Sequence, residues 1–540
     1  MLITKPTNKA ILSLAMILSV AGISIALMAC NVSKTKKPNV ILLFTDQHNK
    51  KVVGFDGHPD VITPNLDKLA NESFVFDRAY CTRGVCVPSR TSMMTGMMPR
   101  TLGVLANPDR NPVVDDVVSM ASIMKYNGYK TFAFGKRHLN QAADNGWDIK
   151  KGHGYRPEDD DCYVKWIERE GYIKEFANDW AAEFGKGPRG SSEFETKIPT
   201  ADLGTRISKL PEEYTMEAYT TKETVKMIKD QAKSEQPFFC WASFYRPHQP
   251  YNPLPKYMAM YDVSKWGKGT KNGDAIKMPA NFYQPTETLP PMLQDQRNGG
   301  NKVWNMDKAF ENEQLWRNYI GAYYALVTEI DHCIGQILKA VEEAGIEEET
   351  IVIYTSDHGD FVGNHGMVEK CASGQNVYED ILNVPLIFKI PGNSNKGKRT
   401  ADLVTLADVL PTLVDLLDLK LPESKYPMQG ESLAEVIEGS GSLNRDYIVS
   451  ESWSQACVIT KDTKLGIMLD PTIVHPNFDY REFGNMFFDM KNDPLEVDNR
   501  INDINYRKEI TKLEKYYDDF LKNTPPTGKE LVIKEKQQTK

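Results

Sequence analysis

The chain has 540 residues, of which 41% are hydrophobic, and it carries a formal net charge of −8. Length alone predicts two to four domains, although large α/β proteins often form one large domain and a small one, and the hydrophobic fraction is enough for a sizeable core. The charge is mildly acidic and mixed in sign, so no basic face for nucleic acid is indicated and a nucleic-acid-binding protein is disfavoured.

The N-terminus is typical of an exported protein. Two lysines precede an apolar run over residues 10–29, as in a secretory signal. The run ends in Leu27-Met28-Ala29-Cys30, which resembles a bacterial lipobox. We therefore expect removal of residues 1–29 and acylation of Cys30, which would anchor the protein to a membrane in the periplasm or at the cell surface. An uncleaved transmembrane anchor is the alternative, because the run is about long enough to span a bilayer.

Short apolar runs, each followed by polar residues, predict four buried strands: 39–45, 130–134, 237–244 and 351–355. Helical patterns accompany them. One helix begins with Thr63 as N-cap and Pro64 as its first residue, and the others cover 89–95, 313–344 and 405–419. Strands that alternate with helices predict a largely parallel sheet covered on both faces. Ligands bind beyond the carboxyl ends of such strands, so the polar residues there should converge.

Two segments, 151–214 and 253–300, are rich in Gly, Pro or charge and weakly periodic, and we expect irregular excursions near the site. An acidic run in the first, Asp159-Asp160-Asp161, is interpreted as solvated rather than as a metal site. Beyond residue 429, an antiparallel sheet and a last helix are predicted over 447–451, 456–460, 464–469, 485–488 and 505–521.

These patterns divide the chain into five parts. They are a signal peptide (1–29), a flexible tether (30–38), a catalytic α/β domain (39–428), an antiparallel α+β subdomain (429–524) and a polar tail (525–540). The tether is polar and rich in lysine, which suits a flexible linker. The tail is predicted to be disordered.

The segment Cys86-Val87-Pro88-Ser89-Arg90 resembles the signature of type I sulfatases, in the alkaline phosphatase superfamily. In that family the cysteine is oxidised to formylglycine. One hydroxyl of the hydrated aldehyde attacks sulfur, and deprotonation of the other then expels sulfate. A helix N-terminus there would suit an anion, and Arg90 would neutralise charge nearby. Val87 departs from the family pattern, which usually has a small residue at its position.

Further motifs of the same family follow in its order over about 37–500. Asp46-Gln47 and Asp357-His358 resemble the two metal-binding pairs, which together with Cys86 imply a divalent cation. Calcium is the expected ion because it prefers oxygen donors, although the nitrogen of His358 leaves its identity open. Residues 489–496 resemble the family's D-x-x-x-D-P-x-E stretch. The implied fold is alkaline-phosphatase-like, a mostly parallel α/β sheet with a smaller C-terminal α+β subdomain.

Basic residues resemble the family's sulfate-binding and proton-transfer groups. Gly135-Lys136-Arg137-His138 resembles its G-K-W-H segment, with Arg137 in place of Trp. Lys136 should contact sulfate, and His138 should act on the formylglycine hydroxyl. His248, in a P-H-x-P stretch, should protonate the leaving oxygen, since histidine exchanges a proton near neutral pH. Lys370 should pair with sulfate and assist the leaving group.

The chain has eight cysteines, and they form no C-x-x-C pair, so a zinc-ribbon interpretation fails. An exported protein can pair some of them, and the sequence does not specify which. Cys81 lies five residues before Cys86. Because a disulfide between the two would compete with oxidation to formylglycine, we expect that oxidation to precede export and folding.

The resemblance implies hydrolysis of a sulfate ester to an alcohol and inorganic sulfate. By analogy with lipoprotein sulfatases, the expected substrate is a sulfated sugar or glycan fragment of glycosaminoglycan or algal type. A formylglycine-generating enzyme is the expected modifying partner. Two alternatives stay open. A phosphatase or phosphonate hydrolase of the superfamily is disfavoured by the intact C-x-P-S-R motif, and a non-catalytic glycan-binding surface protein by the filled catalytic positions.

Overall fold

The computed structural model describes residues 37–107, 117–153, 162–264, 276–298, 312–370, 377–452, 455–469 and 484–525. The signal peptide, Cys30, the acidic run at 159–161 and the tail from residue 526 lie outside these ranges. Pro38–Lys540 clusters as one unit, and the predicted boundary at residue 429 stays a prediction. Within the described ranges, none of the helices combines the length and apolarity that crossing a membrane requires.

A large sheet has eight strands: β1 (Asn39–Asp46), β2 (Phe74–Tyr80), β3 (Lys130–Gly135), β4 (Ile149–Gly152), β5 (Phe238–Pro247), β6 (Thr350–Ser356), β7 (Asn383–Lys389) and β8 (Arg399–Thr405). Their order is β4-β3-β5-β1-β6-β7-β2-β8. β7 runs antiparallel to β6 and β2, and every other pairing is parallel. The predicted mostly parallel sheet is confirmed.

Helices lie on both faces of this sheet. In chain order they are α1 (Pro64–Asn71), α2 (Cys86–Thr95), α3 (Pro99–Leu102), α4 (Met120–Tyr126), α5 (Tyr163–Arg169), α6 (Ile173–Phe184), α7 (Met216–Gln231), α8 (Pro255–Met258), α9 (Pro291–Arg297), α10 (Glu313–Glu343), α11 (Glu379–Leu382) and α12 (Val409–Leu416). β1 is buried on both sides, since Val40 and Leu42 join one hydrophobic cluster and Ile41 and Leu43 join another. A strand buried on both faces explains the continuous apolar sequence.

The C-terminal part follows α13 (Ala434–Glu438). It contains a four-stranded antiparallel sheet, β9 (Ile448–Glu451), β10 (Gln455–Ile459), β11 (Thr463–Met468) and β12 (Met486–Asp489), and helix α14 (Arg507–Asn523). The apolar residues of α14, such as Leu513 and Phe520, pack against Val458 and Leu465 of that sheet. The predicted small antiparallel sheet is therefore present, with strand bounds within two residues of the expected ones.

Three expectations need correction. The helix expected at 89–95 begins at Cys86, because the first turn tolerates Pro88, which has no backbone N–H to donate. The segment 151–214 is not irregular throughout. It forms α5 and α6, whose aromatic side chains build a separate hydrophobic cluster with Tyr245 of β5. The helix expected at 405–419 is a 3-10 turn, Leu406–Asp408, followed by α12.

Candidate active site

The polar residues predicted to converge do lie at one edge of the large sheet. β1 ends at Asp46, β6 is followed by Asp357, β3 by Lys136 and β5 by His248. These four strands are neighbours in the sheet and run parallel, so their carboxyl ends meet. The site is therefore built by the topology of the sheet, as expected for an α/β fold.

Cys86 is the first residue of α2, a helix in which every residue is buried. Its Sγ lies 3.3 Å from His358 Nε2 and 3.9 Å from Asp46 Oδ1. One potential ligand atom from each of Asp46, Cys86, Asp357 and His358 lies within 4.8 Å of the others. Cys86 thus lies at the positive end of the α2 helix dipole, which favours an anion there.

Arg90, one turn further along α2, joins the two aspartates. Its Nη2 lies 2.7 Å from Asp46 Oδ2, and its Nε lies 2.7 Å from Asp357 Oδ2. Its Nη1 donates to the backbone oxygen of Lys136 at 2.6 Å and to Ser243 Oγ at 3.0 Å. Burial opposes the charge of Arg90, but Asp357 and Asp46 outweigh it and raise the pKa of the guanidinium. The buried guanidinium of Arg90 therefore links residues of β1 and β5 and the residues that follow β3 and β6.

Lys136 and His248 lie on the other side of Asp46. Lys136 Nζ is 2.6 Å from Asp46 Oδ2, and His248 Nε2 is 3.9 Å from Asp46 Oδ1. Burial alone would raise the pKa of Asp46, but the charges of Lys136, His248 and Arg90 hold it well below its usual value. His248 Nδ1 pairs with the backbone oxygen of Gln249 at 2.7 Å, which directs Nε2 towards the cluster.

The two residues after Lys136 complete this turn. Arg137, which stands where the family usually has Trp, is buried and its Nε lies 3.0 Å from Asp144 Oδ1. The ion pair compensates the buried guanidinium, so the substitution is accommodated locally. His138 follows with a φ of 48°, in the left-handed region that non-glycine residues seldom adopt. The catalytic role expected of His138 stays a prediction.

Lys370 approaches the cluster from the loop after β6. Its Nζ donates to Gln47 Oε1 at 2.8 Å and pairs with the Glu369 carboxylate. Burial lowers the pKa of Lys370, but Glu369, Cys86 and Asp46 outweigh burial and raise it, so the ammonium stays charged. The structure thus brings Lys370 beside the predicted metal pair Asp46-Gln47.

The Gln47 amide is held by a network that sequence reasoning missed. Its Nε2 donates to Gln249 Oε1 and to Asp360 Oδ2, each at 2.8 Å. Asp360 also accepts from the hydroxyl groups of Tyr319 at 2.6 Å and Tyr251 at 2.7 Å. The bond to Asp360 identifies the nitrogen side of the Gln47 amide, so the oxygen faces Lys370. Asp360 lies three residues after Asp357 in the motif, but its tyrosine partners are distant in sequence.

The residues present fit a divalent cation. Asp46 and Asp357 supply carboxylate oxygens, Gln47 an amide oxygen and His358 a nitrogen, and all four side chains are fully buried. His358 Nδ1 pairs with the backbone oxygen of Gly359 at 3.0 Å. That bond leaves the Nε2 lone pair for a ligand, an arrangement typical of metal-binding histidines. The buried cluster could therefore hold a metal ion.

Two cysteines near the site, Cys81 and Cys86, are not cross-linked. Both are free thiols, as are Cys240, Cys333 and Cys457. Cys81 Sγ points to the backbone oxygen of Ile381 at 3.8 Å. Burial, and then Asp46, raise the pKa of the Cys86 thiol to about 12. In this structure the competing disulfide between Cys81 and Cys86 is therefore absent.

Comparisons with known proteins identify the family of this chain. The sulfatase family model matches residues 38–419, and the model for the C-terminal part of N-sulphoglucosamine sulphohydrolase matches residues 363–523. An arylsulfatase of Clostridium perfringens is 28% identical over 89% of this chain and 93% of its own length. A Δ4,5-hexuronate-2-O-sulfatase of Bacteroides thetaiotaomicron is 25% identical over 94% of each chain.

Solved structures support the fold alone. A putative-sulfatase structure from Bacteroides thetaiotaomicron has a TM-score of 0.66 at 23% identity and covers 91% of this chain and 93% of its own. A phosphonate monoester hydrolase of Agrobacterium radiobacter has a TM-score of 0.70 at 20% identity and covers 90% and 95%. The expected alkaline-phosphatase-like fold is confirmed. With a family model matching well over half of its length, the chain belongs to the sulfatase family and is a sulfuric ester hydrolase.

Proposed function

We propose that this protein hydrolyses sulfate esters of sugars, using a formylglycine made from Cys86 beside a bound divalent cation, with calcium the first candidate. The observation that carries the proposal is the position of Cys86 Sγ. It lies at the N-terminus of a buried helix, 3.3 Å from His358 Nε2 and 3.9 Å from Asp46 Oδ1. A nucleophile formed there would stand beside the cation and at the positive end of the α2 helix dipole.

The formylglycine would supply the hydroxyl that attacks sulfur, and the cation would polarise the sulfate oxygens. Lys136 and Lys370 then bind the transferring group, because their ammonium groups face the same cluster. The bond from sulfur to the sugar oxygen breaks, and His248 gives that oxygen a proton through Nε2. His138 takes a proton from the remaining hydroxyl of the modified residue as sulfate leaves. Each of these roles is part of the proposal.

The substrate class is inferred from relatives that span nearly the same length. One is named a Δ4,5-hexuronate-2-O-sulfatase and another an N-acetylglucosamine-6-O-sulfatase, both from Bacteroides thetaiotaomicron. A structural neighbour is described with its substrate, D-glucosamine-2-N,6-O-disulfate. These names favour a sulfated carbohydrate over a small aryl sulfate as the natural substrate, and glycan breakdown as the setting.

The test is sulfate release by the full mature chain, produced with a formylglycine-generating enzyme. Aryl sulfate, aryl phosphate, a phosphonate monoester and a panel of defined sulfated saccharides are compared, and Cys86→Ala serves as the inactive control. We expect sulfate release from the aryl sulfate and at least one saccharide, and a Cys86 peptide of lower mass. A preference for the phosphate or phosphonate ester, or an unmodified thiol in active enzyme, would contradict the proposal.

We further propose that the protein is exported and anchored through a lipid on Cys30. The apolar run over residues 10–29 and the Leu27-Met28-Ala29-Cys30 ending support this. Membrane fractionation of the wild type and of Cys30→Ala, with fatty-acid labelling, tests it. Labelling that persists in Cys30→Ala, or a wild type found wholly in the soluble fraction, would contradict the anchor.

A further inference from the structure

A cavity of about 200 Å³ lies beside the candidate active site, on the side of α6. It is smaller than the roughly 300–1,000 Å³ of pockets that hold drug-sized ligands, so it suits a single ring. Tyr245 of β5 separates it from the catalytic residues. The Tyr245 ring centroid is 5.7 Å from that of Trp180, which lines the cavity, and 4.9 Å from that of His248. Lys136 Nζ lies 4.5 Å from the same Tyr245 ring.

One wall of the cavity is a pair of aromatic rings at the end of α6. Trp180 and Phe184 stack with centroids 4.9 Å apart, and Phe184 is 43% exposed. The wall combines broad apolar faces with an open side. Such faces are suited to the C–H face of a sugar ring, which needs apolar contact but carries hydroxyl groups at its edge.

A buried acceptor without a donor faces this wall. His153 is only 4% exposed and lines the cavity. The hydroxyl of Thr220 donates to the backbone oxygen of Met216 at 3.0 Å, so it accepts from His153 Nε2–H at 3.2 Å. The other ring nitrogen, Nδ1, is then a bare acceptor, and no residue that the structure describes bonds to it. A ligand hydroxyl would satisfy it, and leaving it unpaired is costly.

Glu183 connects the cavity to the active site. It lies between Trp180 and Phe184 on α6, and its Oε1 accepts from Gln249 Nε2 at 3.2 Å. Gln249 follows His248 in the chain. The second carboxyl oxygen of Glu183 is buried and has no hydrogen-bond partner in the described part of the chain. A sugar hydroxyl between the two regions would find a partner in this oxygen.

Two cations stand at the rim of the cavity. Lys186 and Arg189 both line it and both are exposed. Neither is ion-paired with a carboxylate of the described residues, and Lys186 Nζ lies 4.5 Å from the Phe194 ring. Arg and Lys bind carboxylate and sulfate oxygens through charge-assisted hydrogen bonds. The rim therefore complements an anionic group, while the interior complements a neutral ring with hydroxyl groups.

Building on the proposed function, we propose that this cavity binds the sugar ring next to the one that carries the scissile sulfate. Lys186 and Arg189 hold a carboxylate or a second sulfate on that neighbouring ring. The substrate class is thus an acidic oligosaccharide of at least two rings, and the cavity contributes to its selection.

The test compares kcat/KM of the full, formylglycine-bearing chain on three kinds of substrate. They are an aryl sulfate, sulfated disaccharides whose neighbouring ring is neutral, and matched disaccharides in which that ring carries a carboxylate or a sulfate. The variants are Lys186→Gln/Arg189→Gln and Phe184→Ala. The charge-matched control is Lys68→Gln/Lys339→Gln, two exposed lysines beside the amino end of β6.

We expect Lys186→Gln/Arg189→Gln to lower kcat/KM at least tenfold for acidic disaccharides and less than twofold for neutral disaccharides and the aryl sulfate. The acidic group that suffers the larger loss, carboxylate or sulfate, is the one that the rim binds. Phe184→Ala should lower kcat/KM about three- to tenfold for both kinds of disaccharide and leave kcat/KM for the aryl sulfate unchanged. The control should match the wild type throughout.

Three outcomes would overturn this inference while leaving the proposed function standing. In the first, the variants lose as much kcat/KM on the aryl sulfate as on the disaccharides. In the second, they lose none on any disaccharide. In the third, the wild type hydrolyses the aryl sulfate but no disaccharide of the panel. A wild type that releases sulfate from none of the esters overturns the proposed function itself. The two failures are therefore distinguishable.

Discussion

The pairing of Gln47 with Asp360 predicts that an amide and a carboxylate can be exchanged between these two positions. Gln47 Nε2 donates to Asp360 Oδ2 at 2.8 Å. The other described side-chain and backbone partners of the Asp360 carboxylate also donate, from Tyr319, Tyr251 and the Val362 N–H. Because four donors surround the buried Asp360 side chain, that side chain must act as a hydrogen-bond acceptor. Asp360 therefore serves as the anion and Gln47 as the donating amide.

The variant Gln47→Glu places a carboxylate oxygen where the amide nitrogen was, 2.8 Å from Asp360 Oδ2. Both side chains are fully buried, so a second negative charge in contact with the Asp360 carboxylate should cost about 3–5 kcal/mol. The variant Asp360→Asn removes a charged acceptor and should cost about 1.5–3 kcal/mol. In the double variant, the amide introduced at position 360 can donate to the carboxylate introduced at position 47, and the net charge is restored. We therefore expect the double variant to recover at least about 2 kcal/mol of the summed loss.

The assay is a double-mutant cycle on the free energy of unfolding, with calcium affinity measured by calorimetry on the same four proteins. Calcium affinity should fall in both single variants, because each disturbs the side chain at position 47, a predicted metal ligand, and recover in the double variant. Asp360→Asn combined with Gln231→Glu, an isosteric change at the end of α7, is the control and should be additive. Single-variant losses that add within about 0.5 kcal/mol at positions 47 and 360 would refute the pairing.

Three other changes have defined outcomes. Arg90→Lys should weaken metal binding by about 10- to 100-fold in calorimetry, because an ammonium cannot bridge both aspartates as the guanidinium does. Lys464→Met should cost about 3–5 kcal/mol in denaturant unfolding, because Glu379 and Glu496 lose their buried partner at 2.8 and 2.7 Å. His365→Asn should reduce the loss of stability that thermal melts show as the pH falls from 7 to 4. Burial lowers the pKa of His365 to about 4, so the unfolded chain alone takes up a proton below about pH 6.5, and about 3 kcal/mol is lost by pH 4.

In the large sheet, the four adjacent strands with nearly continuous apolar sequences were predictable, and the other four were not. β1, β3, β5 and β6 are nearly continuous apolar runs, because neighbours cover them on every side. β8, at the edge of the sheet, mixes exposed and buried residues over Arg399–Thr405 and lacks such a run. A sequence window around it therefore resembles a loop, although it pairs in parallel with β2.

The site was predictable where motifs follow strands. Asp46 and Asp357 stand at predicted strand ends, and the topology of a parallel sheet alone brings them together. The network around Asp360 was not predictable, because it depends on Tyr319 of α10 and Tyr251 after β5. Those tyrosines are far from Asp360 in sequence, and a lone tyrosine in a helix is more often a core residue. Only the packing of α10, and of the segment after β5, places them beside Asp360.

The charges around Cys86 predict that a bound divalent cation would serve substrate binding as well as the chemistry. Asp46 and Asp357 are matched by Arg90 and Lys136, and Glu369 is matched by Lys370. The protein alone therefore offers an anionic ester little net attraction, whereas a bound divalent cation would make this buried cluster positive. Removing the metal should consequently weaken binding of inorganic sulfate itself, measured by calorimetry before and after chelation. Equal sulfate affinity in the two states would show that the lysines and the helix N-terminus hold the anion unaided.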